Sequence, residues 1–504
     1  MKIIIALDIG TSSIRAVLYD EHGAALFSAG REYHSAYPKP LHVEQNPLSW
    51  ADSAAGVLCE AAAHLREKHW EAAGVAVTSQ RSSLIALDAE GSPLRDAIMW
   101  QDKRNIAECE ELAALAGMEY LYRRTGLRVN PLFVMTKLRW MKAHEPDLFA
   151  RARRFVGVQD YVVHSLTGRF VTEWTQASRT MLMDLAAFAW DRELMELGGV
   201  DEEMLCELVP PGSVAGGLTA KAAKKTGLPV GLPVAVSGGD QQNAALALGV
   251  VKPGVAEANT GTGSFVLAYA DKPVIHPECR VLCQAAAIPG KWVAEAGIFN
   301  TGAIYRWFKE RFCPDIAGQE NPYHIMNKEA MSAPTGSKGV IMLPHFEGSM
   351  APNWNPAAKG VFFNLSLGAD RSDMIRAIQE GIALEIRENL HLIQSMTGPI
   401  SEISVAGGMT RSDFFCGVQA SSYNKKVVRY ADSEASALGA CMAASPALGV
   451  HPTLEKAFAA MSRKECVTFE PTPKDVAVYD VLAAKRRKLY EALRDGGIYE
   501  EFLR

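Results

Sequence analysis

The sequence predicts an α/β chain built of two related domains that face each other across a cleft. Three observations carry this. Short apolar strands end in turns rich in Gly, Thr and Ser. The same strand–turn–strand pattern occurs near the N-terminus and again past the middle of the chain. At 504 residues the chain also exceeds one ordinary domain.

Lys2 to Leu7 is short, apolar and rich in isoleucine, which predicts a buried strand. The segment DIGTSS follows as a tight turn, and Ile14 to Tyr19 reads as a second strand. Asp20 to Gly23 is a hairpin turn, with a third strand from Ala25 to Tyr33. An amphipathic helix is expected over Leu48 to Lys68, then a strand over Gly74 to Ser79 that ends in polar Gln80 and Arg81. Three strands, a helix and a strand make a mixed sheet that helices must cover. Helical and irregular segments are expected to about residue 230. Then Pro233 to Ser237 reads as a strand, GGDQQ as a turn and Asn243 to Leu248 as the start of a helix.

Here the chain repeats itself. Val255 to Ala258, NTGTGS and Phe265 to Tyr269 repeat the first strand, turn and return strand. ISVAGGM mirrors GVAVTSQ, and EASALGACMAA resembles QNAALALG. Four similarities in one order predict two related domains, 1–250 and 251–504, divided where VVKPG breaks the helix. After about Leu482 the tail reads as a helix packed with its charged face outward.

Composition excludes several classes. Nearly half the residues are apolar, so large cores can be buried, and the net charge of −5 is mild for this length. No basic block resembles a nucleic-acid footprint, and the short KKVVR and KRRK segments read as solvated faces. The N-terminal apolar run is too short for a signal peptide, and no run of about 18 apolar residues predicts a membrane span. The nine cysteines are scattered, which fits structural thiols in a reducing cytoplasm. Cys279 and Cys283 lack the second pair that a structural zinc site would need.

The strongest chemical signal is the pair of turns. The backbone of Gly10, Thr11, Ser12 and Ser13 can offer several N–H groups to an anion, and Arg15 just beyond suits phosphate oxygens. Gly261, Thr262, Gly263 and Ser264 offer the same from the other half. Either turn alone would pass as an ordinary hairpin. Facing each other, they would grip a triphosphate from both sides. There is no GxxxxGKS/T loop and no dinucleotide fingerprint. Asp8 stands at a strand end before the first turn, where phosphates would repel it unless a cation intervened, so Mg2+ is implied. Asp240 stands between a Gly-Gly turn and a helix, placed either to cap that helix or to receive a hydroxyl proton in phosphoryl transfer.

These residues resemble the FGGY family of carbohydrate kinases, and the resemblance covers essentially the whole chain. It rests on DIGTSSIRAVLYD (8–20), WQDKR (100–104), TGLRVNPLF (125–133), GGDQQNAALALG (238–249), NTGTGSFV (259–266), LPHFEGSMAPNWNPAAKGVFFNLS (343–366) and VAGGMTRSDFFCGVQAS (405–421). It implies an actin-like fold, two ribonuclease-H-like ATPase domains with ATP in the central cleft. It implies Asp240 as catalytic base and Asp8 with Asp240 near the metal. The phosphate turns would be Gly10 to Ser13 with Arg15, and Gly261 to Gly263. Gly302, Gly407, Gly408 and Ser412 would lie on the nucleotide side. Gln80, Arg81, Trp100, Gln241 and Phe265, with Asp240, would line the acceptor pocket. Dimers are common in the family, so a homodimer is the assembly the resemblance suggests.

The pocket motifs stand closest to the glycerol kinases of that family, with two departures. Those enzymes carry Glu where this chain has Ser82, and Tyr where it has Leu132. Both changes remove polar contacts to glycerol, and the smaller Ser82 is expected to leave room for a longer acceptor. A four- or five-carbon polyol or ketose is therefore expected, with glycerol or xylulose as the alternatives. A nucleotide-dependent switch would share the phosphate turns but would need a partner-binding domain or a polymer interface.

Overall fold

The computed structural model describes residues 2–430, 434–462 and 465–502. The first half is organised by strands β1 (Lys2–Ile9), β2 (Ser13–Tyr19) and β3 (Ala25–Glu32), helix α1 (Pro47–Lys68), and strand β4 (Glu71–Ser79). Helix α2 (Val158–Thr167), strands β5 (Ser213–Gly217) and β6 (Pro233–Gly239), and helix α3 (Asp240–Ala247) complete it. The strands form one sheet in the order β5–β6–β4–β1–β2–β3. β1 runs parallel to β4 and antiparallel to β2.

The second half begins with β7 (Val255–Thr260), β8 (Ser264–Ala270), β9 (Leu282–Ala285) and β10 (Trp292–Ile298). Then come α4 (Gly302–Phe312), α5 (Arg371–Thr397), β11 (Glu402–Ala406), α6 (Asp413–Tyr423) and β12 (Lys426–Tyr430). Helix α7 (Ala435–Ala444), β13 (Cys466–Phe469) and α8 (Pro473–Asp495) follow. This sheet runs β9–β10–β8–β7–β11–β12–β13. The five strands β3–β2–β1–β4–β6 recur in order and direction as β10–β8–β7–β11–β12. The internal repeat is thus two sheets of one topology, the two-domain mixed α/β arrangement expected. Each has an antiparallel strand beside its last parallel one, β5 and β13.

Both faces of β1 are covered, which is why it reads as an unbroken apolar run. Ile3, Ile5 and Leu7 pack with Trp50, Val57 and Leu58 of α1. Ile4 and Ala6 face the other way and pack with Leu438, Cys441 and Met442 of α7. A helix from the second half therefore covers the first sheet. Reciprocally, Ala245 of α3 packs with Leu267, Tyr269 and Val293 of the second sheet. Where α3 and α7 meet, a Cβ added to Gly439 would lie 1.8 Å from the carbonyl oxygen of Asn243, so only glycine fits.

Three local expectations are corrected. The helix starts at Asp240 rather than near Asn243, and its cap is Gly239, so Asp240 is not the helix cap. KKVVR is not a solvated face: Lys426 begins β12, and Val427 and Val428 are buried between β11 and β13 and the covering helices. In KRRK, Arg486 is buried and ion-pairs with Glu385 and Glu388 of α5. In each the basic residues flank or belong to an inward-facing position that a charge count does not reveal. No helix of the described residues is long and apolar enough to cross a membrane.

Candidate active site

The two turns lie at equivalent sheet positions. Between β1 and β2 the Gly10 N–H donates to the Ser13 carbonyl at 2.9 Å, and between β7 and β8 the Gly261 N–H donates to the Gly263 carbonyl at 2.9 Å. The Tyr33 hydroxyl also donates to the Gly10 and Ser13 carbonyls, which stiffens the first turn. Ser12 and Thr262 are exposed at the tips. The Thr11 hydroxyl, expected to face an anion, is used inside the site: it donates to Gln80 Oε1 at 3.3 Å and accepts from Trp100 Nε1 at 3.1 Å. One threonine thus ties the phosphate-type turn to two of the residues expected to hold the acceptor. Gln80 Nε2 closes the link by donating to the Gly10 carbonyl at 3.2 Å.

Asp8 is paired in register with Arg15 on β2, and Arg15 reaches across to ion-pair with Glu434. Burial pushes the Asp8 carboxyl up to about 7, and the nearby charges of Asp240 and Glu434 add to the effect. A carboxyl raised by neighbouring carboxylates is a place where a cation is favoured. No group of three His, Cys, Asp or Glu side chains among the described residues is close enough to hold a metal by itself. Asp8 and Asp240 are hard oxygen donors and fit a Mg2+ that takes one or two carboxylates and fills its remaining positions with phosphate and water.

Asp240 is the first residue of α3, directly after β6, so it stands at the end of a buried strand. Its Oδ1 accepts from the Gln241 N–H at 2.8 Å and lies 3.4 Å from Arg81 Nε. Burial raises its pKa, and the Arg81 charge opposes that rise. Arg81 is buried, and its Nη1 donates to Glu295 Oε2 at 2.7 Å, Gln284 at 3.1 Å and Gln242 at 3.2 Å. Its guanidinium also sits 5.8 Å from the ring centre of Phe265 on β8. The Gln241 side-chain oxygen is buried without a partner.

On the far side, Gly302 opens α4 and its N–H donates to the Gly261 carbonyl at 2.9 Å, joining that helix to the second turn. Gly407 follows β11 at φ 95°, and a Cβ there would lie 2.4 Å from the Thr260 carbonyl oxygen. Gly408 has open space beside it. Ser412 caps α6, its hydroxyl accepting from the Phe415 N–H at 3.3 Å.

Sequence reasoning missed four members of the site. Glu295 on β10 is 1% exposed and accepts from Arg81 on one oxygen and from Arg179 Nη1, at 2.9 Å, on the other. Burial would push this carboxyl up, yet the two arginines hold it below the usual range. Glu257 on β7 is fully buried with neither carboxylate oxygen hydrogen-bonded, and burial, then Glu295, raises it far above the usual range. Arg179 donates from Nε to Ser82 Oγ at 3.2 Å, so the space expected beside the serine is occupied by a guanidinium. A further cavity of about 40 Å³ lies behind Ser82 and Ser83, enough for a water or two. Leu132 belongs to a loop whose carbonyls at Pro131 and Leu132 accept from buried Lys137 at 2.8 and 2.6 Å.

The fourth is Glu173, which accepts from the Thr175 hydroxyl at 2.8 Å. That hydroxyl accepts from the Gly239 N–H at 2.7 Å, immediately before Asp240. Burial pushes the Glu173 carboxyl from 4.5 up to about 7. Between those values the unfolded chain has lost this proton and the folded chain has kept it, so stability falls as pH rises. We expect the unfolding free energy of the wild type, relative to Glu173→Gln, to drop by about 3 kcal/mol from pH 4.5 to pH 7 and then level off. Urea titrations across that range check this; a constant difference would refute it.

Two turns at equivalent sheet positions, a strand-end aspartate beside a buried arginine and a second carboxylate just before the first turn suit a phosphotransferase of the two-domain α/β type. The chain belongs to the FGGY family of carbohydrate kinases: the model of that family's N-terminal domain matches residues 3–247 and that of its C-terminal domain residues 256–448. It is similar to a glycerol kinase of Alkalilimnicola ehrlichii, 34% identical over 92% of this chain and 94% of the relative. It is also similar to a xylulose kinase of Lactococcus lactis, 26% identical over 97% of each chain. A ligand-bound xylulose kinase of Lactobacillus acidophilus superposes with a TM-score of 0.93 at 25% identity, covering 100% of both chains. The architecture is accordingly the actin-like ATPase fold of that family.

Proposed function

We propose that this chain transfers the γ-phosphoryl group of ATP to a hydroxyl of a four- or five-carbon polyol or ketose, with Asp240 as general base. The observation that carries this reading is the position of Asp240: at the head of α3, 3.4 Å from buried Arg81, and near enough to Asp8 to raise its carboxyl. Residues 1–250 would bring Gln80, Arg81, Trp100 and Gln241 to the acceptor, with Phe265 closing from the other half. Residues 251–504 would hold the nucleotide with Gly302, Gly407, Gly408 and Ser412. Backbone N–H groups of Gly10 to Ser13 and Gly261 to Gly263, with Arg15, would face the phosphates from both sides.

Asp8 and Asp240 would hold the Mg2+ through water and phosphate, and the ion would neutralise charge on the transferring group. Asp240 accepts the hydroxyl proton as the bond to phosphorus forms, and Arg81 fixes the acid and the acceptor in line. Closure of the two halves would exclude water, which would otherwise compete for ATP.

Departure from the glycerol-kinase pattern at Ser82 and Leu132 removes polar contacts to glycerol and so favours another acceptor, although Arg179 fills the space beside Ser82. Coupled ADP release over a panel of polyols, ketoses and aldonates is the test. We expect strict dependence on an added acceptor and the highest kcat/KM for a four- or five-carbon compound. Glycerol as the best substrate would refute the substrate, and acceptor-independent ATP hydrolysis would refute the kinase.

A further inference from the structure

Five side chains stand in a continuous line of contacts leading away from the reacting end of the pocket. Asp240 Oδ1 is 3.4 Å from Arg81 Nε, and Arg81 Nη1 donates to Glu295 Oε2 at 2.7 Å. Glu295 Oε1 accepts from Arg179 Nη1 at 2.9 Å, and Arg179 Nε donates to Ser82 Oγ at 3.2 Å. Two guanidinium groups thus flank one carboxylate. Among the described residues Arg179 Nη2 donates to no acceptor, although the residue is only 3% exposed. Nη2 is not itself sealed from solvent, so it stands open to an oxygen supplied from outside the network.

The surroundings hold this donor still. The guanidinium lies 5.0 Å from the ring centre of Phe133, next to Leu132. Ser82 sits at φ 67°, a left-handed backbone that serine rarely adopts, and strain of this kind gathers at functional sites. Both positions where the pocket departs from the glycerol-kinase pattern, Ser82 and Leu132, therefore abut Arg179 or its stacking partner.

We propose that Arg179 is a specificity-determining residue that donates from Nη2 to a hydroxyl at the far end of the acceptor. The inference rests on the kinase reading above and deepens it. An acceptor anchored at Asp240 and Arg81 reaches Arg179 only if it is longer than glycerol. Glycerol leaves this donor without a ligand oxygen, and a site built to bond a hydroxyl discriminates strongly against a substrate that lacks it.

The experiment measures kcat and KM of the full chain for glycerol, erythritol, ribitol and D-xylulose by coupled ADP release. With Arg179→Gln, the kcat/KM for the best longer acceptor is expected to fall by about 10- to 100-fold, chiefly through KM. The fall for glycerol is expected to be smaller by at least about tenfold. Equal losses on all acceptors would mark Arg179 as a purely structural residue and overturn the proposal, as would no loss at all. Ser82→Glu leaves Arg179 in place but offers it a carboxylate. That variant is expected to shift the ratio of kcat/KM toward glycerol by at least about tenfold, the conversion of about 1.4 kcal/mol. An unchanged ratio overturns the proposal even if Arg179→Gln fails to fold. A wild type that releases no ADP with any of these four acceptors brings down the polyol-or-ketose reading, and this one with it. An active wild type whose selectivity ignores both substitutions brings down Arg179 alone.

Discussion

Asp240→Asn is expected to lower kcat by about 10²- to 10⁴-fold, the range usual for loss of a general base, while nucleotide binding persists. Asparagine keeps the shape, so the helix start and the Gln241 N–H contact at 2.8 Å survive. What it removes is the capacity to take a proton and the negative charge facing Arg81 Nε at 3.4 Å. The wild-type carboxyl is raised by burial and restrained by Arg81, which suits a group that must be ionised before reaction and protonated during it. Gly302, Gly407 and Gly408, proposed to hold the nucleotide, belong to other elements than Asp240. Single-turnover phosphoryl transfer together with calorimetric ADP binding checks the prediction. Turnover within a few-fold of wild type would remove Asp240 from the chemistry.

The second large effect is expected at Glu295. Glu295→Ala leaves Arg81 and Arg179 buried, with the same-sign charges of each already weighing on the other. Removing one member of a buried ionic network costs about 3–5 kcal/mol, because the remaining charges lose their closest compensation. Arg179 is the more vulnerable: burial, then the Arg81 charge, already pushes it down to about 10 even with Glu295 present. The loss should appear as a lower urea midpoint and should be partly restored by a second change, Arg179→Met, which removes the stranded charge. A single-variant loss below about 1 kcal/mol would show that solvent reaches the network and screens it.

The strands of both sheets were legible because they lie inside. β1 and β6 are covered on both faces, so hydrophobicity alone marks them, and the turns between strands carry Gly, Thr and Ser for backbone reasons. Asp240 was legible from its place between a Gly-Gly strand end and a helix. Glu295 and Glu257 were not, although each stands in an Ala-Glu-Ala tripeptide inside a buried strand, Ala294 to Ala296 and Ala256 to Ala258. An acidic residue in that setting must be neutral or paired, and that was the available signal. Arg179 gave none, because its role comes from Ser82 and Glu295, which are distant in sequence. The exchange of α3 and α7 between the sheets was also hidden. A repeat shows that two helices are equivalent, but their pattern does not say which sheet each one covers.

That exchange has a mechanical consequence. At Gly439 the chain of one half rests on the main chain of the other at Asn243 with no side chain between them. Such a bearing can turn with little displacement at the axis, while points at the rim of the cleft travel farthest. The helices seated on the opposite sheet resist sliding, because translation would drag Leu438 and Met442 out of the first core and Ala245 out of the second. Rotation is the soft coordinate and translation the stiff one. A closing of the two halves about that bearing would carry the two Gly-Thr turns along a fixed arc, so that whatever lay between them would be met in the same orientation each time.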